Sequence, residues 1–137
     1  MKYYVGFFAS SERCWWDVLN KRGFEHCAAF RPEYGGRCVG VEFNKTGLHP
    51  ESIFVPAEVA LREMLERSDC TCVIEVEINE AEREWYAGRG MLNCVSATKA
   101  FLGMGSFWTD LTPHRLARRL LAMGGVLHLA KHIKGLE

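Results

Sequence analysis

Residues 93–104 read Asn-Cys-Val-Ser-Ala-Thr-Lys-Ala-Phe-Leu-Gly-Met, and this pattern predicts a helix around which the other elements are arranged. Asn93 is a favourable N-cap because its side-chain oxygen can accept a hydrogen bond from an amide of the first turn. The helix is predicted to end at Gly103 or Gly105. Cys94 then takes the first helical position, where unpaired amides and the helix dipole favour a thiolate over a thiol. Two interpretations stay open here: a thiol nucleophile, or a small buried hydrophobic residue, as most cysteines are.

The composition is typical of one soluble globular domain. The chain has 137 residues, of which 48% are hydrophobic and 25% are charged, and its net charge is zero. Residues 51–90 contain ten acidic and four basic side chains, whereas residues 111–137 contain five basic and one acidic. No aromatic residues alternate with the late basic group, so we expect two solvated faces and no nucleic-acid partner.

The chain shows no export or membrane signal, which predicts a cytoplasmic protein. Residues 1–8 lack the long apolar core and cleavage site of a signal peptide, and no apolar run reaches the roughly 18 residues that span a membrane. The six cysteines are therefore expected to be free thiols in a reducing compartment. Their spacing fits no zinc template, and Cys70 and Cys72 fit alternate positions of a strand.

Residues 24–30 and 38–44 predict two strands joined by a turn at residues 31–37. The second strand alternates cleanly, with Val39, Val41 and Phe43 on one face. If the strands pair symmetrically about the turn, the numbers of paired residues sum to 68. His26 then lies directly opposite Glu42, with both side chains on the same face. A one-residue slip of the register would separate them.

The rest of the chain predicts one α+β domain, in which an antiparallel sheet of about four to six strands packs against helices. Residues 45–50 are expected to form a loop, and residues 126–134 fit either a strand or a helix. Strands are predicted at residues 2–8, 53–55 and 71–78, the last half solvated, and helices at 56–67, 80–87 and 112–123, the last capped by Thr112.

The predicted site contains the groups that a thiol hydrolase needs: Cys94 at a helix start, His26 on a strand and Glu42 on the neighbouring strand. The helix end and the imidazole keep the sulfur ionised, and the imidazole later protonates the leaving group. A third polar group fixes the tautomer of the imidazole. The backbone amide of Cys94 is a candidate oxyanion donor.

This order of features resembles the circularly permuted members of the papain-like superfamily. They include relatives of the NlpC-type cell-wall peptidases and the lecithin retinol acyltransferase-like group, in which the histidine strand precedes the cysteine helix. The resemblance covers residues 24–44 and 93–104. The compact Asn-Cys helix followed by a Thr-Pro helix is also similar to small proteins of bacteria and prophages.

The resemblance implies a single permuted papain-like domain that hydrolyses or transfers an acyl group at an amide, ester or thioester bond. Cys94 would be the nucleophile, His26 the base and Glu42 the orienting residue, with Asn44 as the alternative to Glu42. The implied partner is a peptide, lipid or other acyl substrate, and no cofactor is implied. A non-catalytic interaction module on the same scaffold is the main alternative function.

Three further sets of residues have competing interpretations. Trp15, Trp16, Trp85 and Trp108 are candidate walls of a substrate cleft, or ordinary core residues. A zinc module would need cysteines, His26 and His49 to converge without a template, so no metal is predicted. His128 and His132 would share one face if they lay on a helix, where a solvated basic helix is favoured over a metal pair.

Overall fold

The structure is a computed structural model that describes residues 1–10, 21–44, 47–83, 93–105 and 110–134. In this part of the chain, six strands form one antiparallel sheet with the order β4-β3-β2-β1-β5-β6. The strands are β1 (Lys2–Phe8), β2 (His26–Glu33), β3 (Arg37–Asn44), β4 (Gly47–Ile53), β5 (Cys70–Glu77) and β6 (Val126–Leu129). The helices are α1 (Ala57–Glu66), α2 (Cys94–Leu102), α3 (Pro113–Ala122) and α4 (Lys131–Lys134), with a short 3-10 helix at Glu80–Glu82. The α+β prediction is confirmed.

Helices cover both faces of the sheet, so the core has two layers. On the side of α2 and α3, Tyr3, Val5 and Phe7 of β1 are completely buried. On the side of α1, Tyr4 and Phe8 of the same strand pack with residues of α1. Because the side chains of β1 point alternately into two apolar layers, the strand is buried on both faces and lies near the centre of the sheet.

The strand β5 is buried on both faces from Cys72 to Ile74, whereas Glu75 is partly exposed and Glu77 is exposed. The predicted solvated face is therefore present only at the C-terminal end of the strand. Val73 packs on the α1 side, whereas Ile74 and Val76 pack on the α2 side. An irregularity opposite Phe7 and Phe8 shifts the register of β5, so Cys70 and Cys72 belong to different layers although they are two residues apart. Such a bulge places one extra residue in one strand and thereby reverses its facing pattern.

Two predicted irregular segments prove to be strands. β2 continues through Pro32 to Glu33, where a turn was predicted from residue 31. Its pairing with β1 ends at Phe30, so beyond that point β2 has only β3 as a neighbour and the missing N–H of proline is tolerated. Residues 47–50, predicted as loop, belong to the edge strand β4, because pairing with β3 satisfies a backbone whose side chains are mostly exposed.

The C-terminal segment combines both predicted alternatives, since β6 is followed directly by α4. His128 lies in the strand and His132 in the helix, so the two do not share one helical face. Among the described residues, no helix is long and apolar enough to cross a membrane. Of the predicted helix at residues 80–87, only Glu80–Glu82 is helical in the described part, and residues 84–87 lie outside it.

Candidate active site

The first turn of α2 is fixed by the predicted N-cap. Asn93 Oδ1 accepts a hydrogen bond from the Ser96 amide at 2.9 Å, and Ser96 Oγ accepts one from the Asn93 amide at 3.1 Å. This reciprocal pair is a capping box, and the helix ends as predicted at Gly103 in a left-handed conformation. Cys94 is therefore the first helical residue, and its own amide has no acceptor within the helix.

His26 and Glu42 are in direct contact, although the predicted register was wrong by two residues. Paired residues of β2 and β3 have numbers that sum to 70, so Glu42 lies opposite Ala28. His26 Nε2 nevertheless lies 3.1 Å from Glu42 Oε1. A slip of two residues keeps both side chains on the same face and makes them diagonal neighbours, which long side chains can bridge.

Cys94 receives hydrogen bonds from three groups that favour its ionised form. The largest effect on its pKa comes from the Cys27 thiol, which donates to the Cys94 sulfur. Burial acts in the opposite direction, and the hydrogen bond and charge of His26 then lower the pKa further. A main-chain group of Cys27 adds a last hydrogen bond. Together these contacts hold the pKa of Cys94 well below that of an ordinary thiol.

Cys27 is a site residue that sequence reasoning did not assign. It is completely buried in β2, and its sulfur lies 3.5 Å from Thr98 Oγ1, one turn beyond Cys94 on α2. Burial raises the pKa of Cys27 well above its usual value, and the neighbouring Cys94 raises it further. The proton shared by the two sulfurs therefore stays on Cys27, and the negative charge stays on Cys94. The only signal in the sequence was that Cys27 directly follows His26.

The two neighbours of His26 favour its protonated form. Partial burial lowers the pKa of the imidazole, but its hydrogen bond to Cys94 and the attraction of that thiolate outweigh this effect. The hydrogen bond and charge of Glu42 contribute in the same direction, so the pKa of His26 is raised. Nε2 donates to Glu42, which leaves Nδ1 as the ring nitrogen for the sulfur.

The site lies where the sheet opens between β2 and β3. The last paired residues of these strands are Ala28 and Glu42, so His26 and Cys27 extend beyond the paired region. β3 continues to Asn44 but pairs there only with β4. Adjacent residues of a strand point to opposite faces. Cys27 and Cys94 lie on the same face of the sheet, the α2 side, and are in direct contact. His26 points to the other face and contacts Cys94 past the point where the pairing of β2 with β3 ends.

An ion pair after α1 adds charges near the histidine and glutamate. Arg67 and Asp69 form two hydrogen bonds of 2.9 Å and 2.7 Å. The charge of His26 helps to lower the pKa of Asp69, for which the Arg67 hydrogen bond is the main cause. The Arg67 guanidinium also lies 4.5 Å from the centre of the Phe8 ring, and this ring lies 6.2 Å from the His26 ring. These residues form the α1-side wall of the site.

Two cavities border the elements that carry the site. One of about 380 Å³ lies between α1 and the strands β2 to β4, and Glu42 and Arg67 are among its lining residues. The other, of about 490 Å³, begins one turn after Cys94 and is lined mainly by apolar residues, among them Val41, Ala97 and Phe101. Neither cavity is lined by Cys94 or His26.

The tryptophans predicted as cleft walls cannot be placed, because Trp15, Trp16, Trp85 and Trp108 lie outside the described residues. The side chain of Asn44, the alternative to Glu42, also lies outside the described part, although its backbone ends β3. Among the described residues, no group of three or more His, Cys, Asp and Glu side chains is placed to hold a metal ion.

Comparison of the chain with known proteins finds no matching family model, no matching curated protein and no matching solved structure. The function is therefore inferred from the geometry of Cys94, His26 and Glu42 and from the chemistry that these groups support.

Proposed function

We propose that this protein is a cysteine-dependent hydrolase or acyl transferase that acts on an amide, ester or thioester bond. The observation that carries the proposal is the hydrogen-bonded chain from Cys94 through His26 to Glu42 at the N-terminus of α2. A lowered pKa on the sulfur and a raised pKa on the imidazole make a thiolate–imidazolium pair, which is the resting state of a thiol nucleophile.

Cys94, His26 and Glu42 have different roles in the proposed reaction. The Cys94 thiolate attacks the carbonyl carbon, and the electron pair of the C=O bond moves to oxygen to give a tetrahedral oxyanion. His26 donates its proton to the leaving amine, alcohol or thiol as the carbonyl re-forms, and an acyl thioester on Cys94 remains. Water or a second nucleophile, deprotonated by His26, then releases the acyl group. Glu42 holds the imidazole in one orientation and stabilises its positive charge.

The capping box leaves two amides of α2 for the oxyanion. The Asn93 amide donates to Ser96 Oγ and the Ser96 amide donates to Asn93 Oδ1. The amides of Cys94 and Val95, also in the first turn, have no acceptor within the helix. Preorganised backbone donors of this kind contribute several kcal/mol to acyl transfer in other enzymes, about 3 kcal/mol for one donor. We therefore assign the Cys94 amide as an oxyanion donor.

A circularly permuted papain-like fold is part of the proposal. What supports it is the order of the elements along the chain: the histidine strand β2, the strand β3 with Glu42, and later the cysteine helix α2. A reducing compartment such as the cytoplasm fits the same chemistry, because the thiol must stay unoxidised to act. Cys27, Cys38, Cys70, Cys72 and Cys94 are free.

The test is alkylation and acylation of Cys94, with a matched histidine as control. Sub-stoichiometric iodoacetamide at mildly acidic pH should label Cys94 first, and ester, thioester and amide probes should leave an acyl group on Cys94 that mass spectrometry detects. His26→Ala should abolish both. His128→Ala is the control, because His128 Nε2 lies 3.2 Å from Glu75 Oε2 in a similarly exposed pair three strands away.

Two results would reject the proposal. Label spread evenly over the six cysteines would show that Cys94 is not activated, and equal effects of the two histidine variants would show that the loss is not specific to the site. Either result would favour the alternative of a non-catalytic interaction module on the same scaffold.

A further inference from the structure

Cys94 and Cys27 form a contact between two sulfur atoms that the proposed acyl chemistry does not require. Cys94 packs against the buried cluster that contains Cys27. A hydrogen bond from the Cys27 thiol is also the largest cause of the lowered pKa of Cys94. Cys27 is held there from the other side by Thr98 Oγ1 at 3.5 Å, and Thr98 follows Cys94 by one helical turn on the same face of α2. An ordinary thiol nucleophile needs an imidazole, not a second buried thiol.

We propose that Cys94 and Cys27 are an oxidation-sensitive pair, in which a peroxide oxidises Cys94 and Cys27 closes a disulfide that reversibly blocks the nucleophile. The inference concerns the regulation of the proposed active site and rests on the same ionised Cys94, but it requires no acyl substrate.

The chemistry takes two balanced steps with hydrogen peroxide as the oxidant. In the first, the Cys94 thiolate attacks one peroxide oxygen, so the O–O bond breaks and an S–O bond forms. The departing hydroxide takes the proton of His26 and becomes water, and Cys94 is a sulfenic acid. In the second, the Cys27 sulfur displaces the hydroxyl group of Cys94, and the thiol proton leaves with it as water. Overall, two thiols are oxidised and one peroxide is reduced to two waters.

Access and protonation assign the order of the two cysteines. Cys94 is partly exposed, whereas Cys27, Cys38, Cys70 and Cys72 are buried. Burial raises the pKa of Cys70 to about 11 and that of Cys72 to about 12, so these two thiols are protonated at neutral pH. Peroxides react with exposed thiolates, and Cys94 is therefore oxidised first. Cys27 is the resolving thiol because it already contacts the sulfur that is oxidised.

The pair would protect the site as well as switch it off. A sulfenic acid that meets no thiol is oxidised further to a sulfinic acid, which reducing agents do not restore. A disulfide, in contrast, is opened by thiol exchange once the reducing conditions return. To form the S–S bond of about 2.05 Å, the two sulfurs must approach each other from hydrogen-bond distance.

The experiment treats the folded full chain with hydrogen peroxide, blocks the remaining thiols with N-ethylmaleimide and maps the unreduced peptides by mass spectrometry. The expected product is the Cys27 peptide linked to the Cys94 peptide with loss of two hydrogen atoms, and dithiothreitol should restore alkylation of Cys94. In Cys27→Ser, which keeps a donor of similar size, Cys94 should reach the sulfinic acid and its recovery by dithiothreitol should be lost. Cys72→Ser removes another buried thiol of the same core layer and should behave as the wild type.

The inference is overturned if peroxide links other cysteines, or if Cys94 is lost irreversibly at the same rate in the wild type and in Cys27→Ser. If that variant does not fold, as judged by its thermal unfolding, the linked peptide of the wild type alone decides. Iodoacetamide labelling of a separate sample, which is not treated with peroxide, separates the two proposals. Preferred labelling of Cys94 without a link rejects only the disulfide, whereas the absence of any preference rejects the proposed function as well.

Discussion

Replacing Asn93 by alanine should lower both the stability of the chain and the reactivity of Cys94. Asn93 Oδ1 accepts the 2.9 Å hydrogen bond from the Ser96 amide, and alanine has no group to replace it. The second bond of the capping box survives, because it uses the Ser96 hydroxyl and the backbone of residue 93. Loss of an asparagine N-cap costs about 1 kcal/mol of unfolding free energy. In a chain of this size, that loss corresponds to a decrease of roughly 3–5 °C in Tm.

The effect on Cys94 follows from its position directly after the cap. When the first turn of α2 loosens, the amides that face the sulfur are no longer held in line, and the contribution of the helix end to the thiolate is lost. This contribution is about 0.3–1 kcal/mol, which predicts that the alkylation rate below pH 8 falls roughly two- to fivefold. The remaining activation by Cys27 and His26 should persist, since neither residue touches the cap.

The assay combines thermal unfolding, followed by circular dichroism, with the rate of iodoacetamide labelling at 25 °C. Thr112→Ala is the matched control, because Thr112 Oγ1 caps α3 by accepting a 3.3 Å hydrogen bond from the Arg115 amide, away from the site. It should lower Tm and leave the Cys94 rate unchanged. The reasoning is refuted if Asn93→Ala lowers Tm without slowing Cys94, or if both variants slow it equally.

Two further predictions concern the charges of the site. Glu42→Gln keeps the shape of the orienting residue but removes the charge next to His26, so the rate of acyl transfer should fall about tenfold or more. Glu75→Gln, the matched change beside His128, should leave the rate unchanged. An unchanged rate in Glu42→Gln would reject the orienting role. The lowered pKa of Cys94 predicts that its thiolate persists below the ordinary value of about 8.5 and is lost only as pH falls through the lowered value. Labelling rates of Cys94 measured against pH should therefore rise at lower pH in the folded chain than in urea, and coincident curves would contradict the lowered pKa.

Local signals in the sequence were sufficient for the helices α2 and α3. Their caps, Asn93 and Thr112, and the end of α2 at Gly103 lie where the sequence predicts them. Capping depends on residues three or four positions apart, so its energetics are contained in the local sequence. The position of Cys94 at the first helical residue follows from the same local rule.

The register of β2 and β3 could not be read in the same way, because it depends on where the turn lies. The turn was predicted at residues 31–37, whereas the strands continue to Glu33 and resume at Arg37. When the centre of the turn moves by one residue, the sum of the two paired residue numbers changes by two, from 68 to 70. Ala28 rather than His26 then lies opposite Glu42. The side-chain contact of His26 with Glu42 was nevertheless predicted, since a shift of two residues preserves the face.

Cys27 was missed because its role depends on contacts from distant parts of the chain. Its sequence context is that of a buried strand cysteine, and Cys27 is indeed completely buried in β2. Nothing near residue 27 indicates that α2 lies against it, since Thr98 and Cys94 come about seventy residues later. A contact of this separation is formed by tertiary packing alone, and no local pattern encodes it.

The opening between β2 and β3 explains how one short segment can contribute two groups to the same sulfur. In a fully paired strand, His26 and Cys27 would point to opposite faces, and only one of them could reach α2. Pairing with β1 continues to His26, but pairing with β3 ends at Ala28, so the segment has no neighbour in β3 and both side chains can contact the start of α2. Cys27 stabilises the Cys94 thiolate from the core, and His26 reaches it from the partly exposed side, where the leaving group of the proposed reaction would also depart. The end of the paired region is therefore the one place on β2 where a buried donor and a solvent-accessible proton carrier can act on one nucleophile.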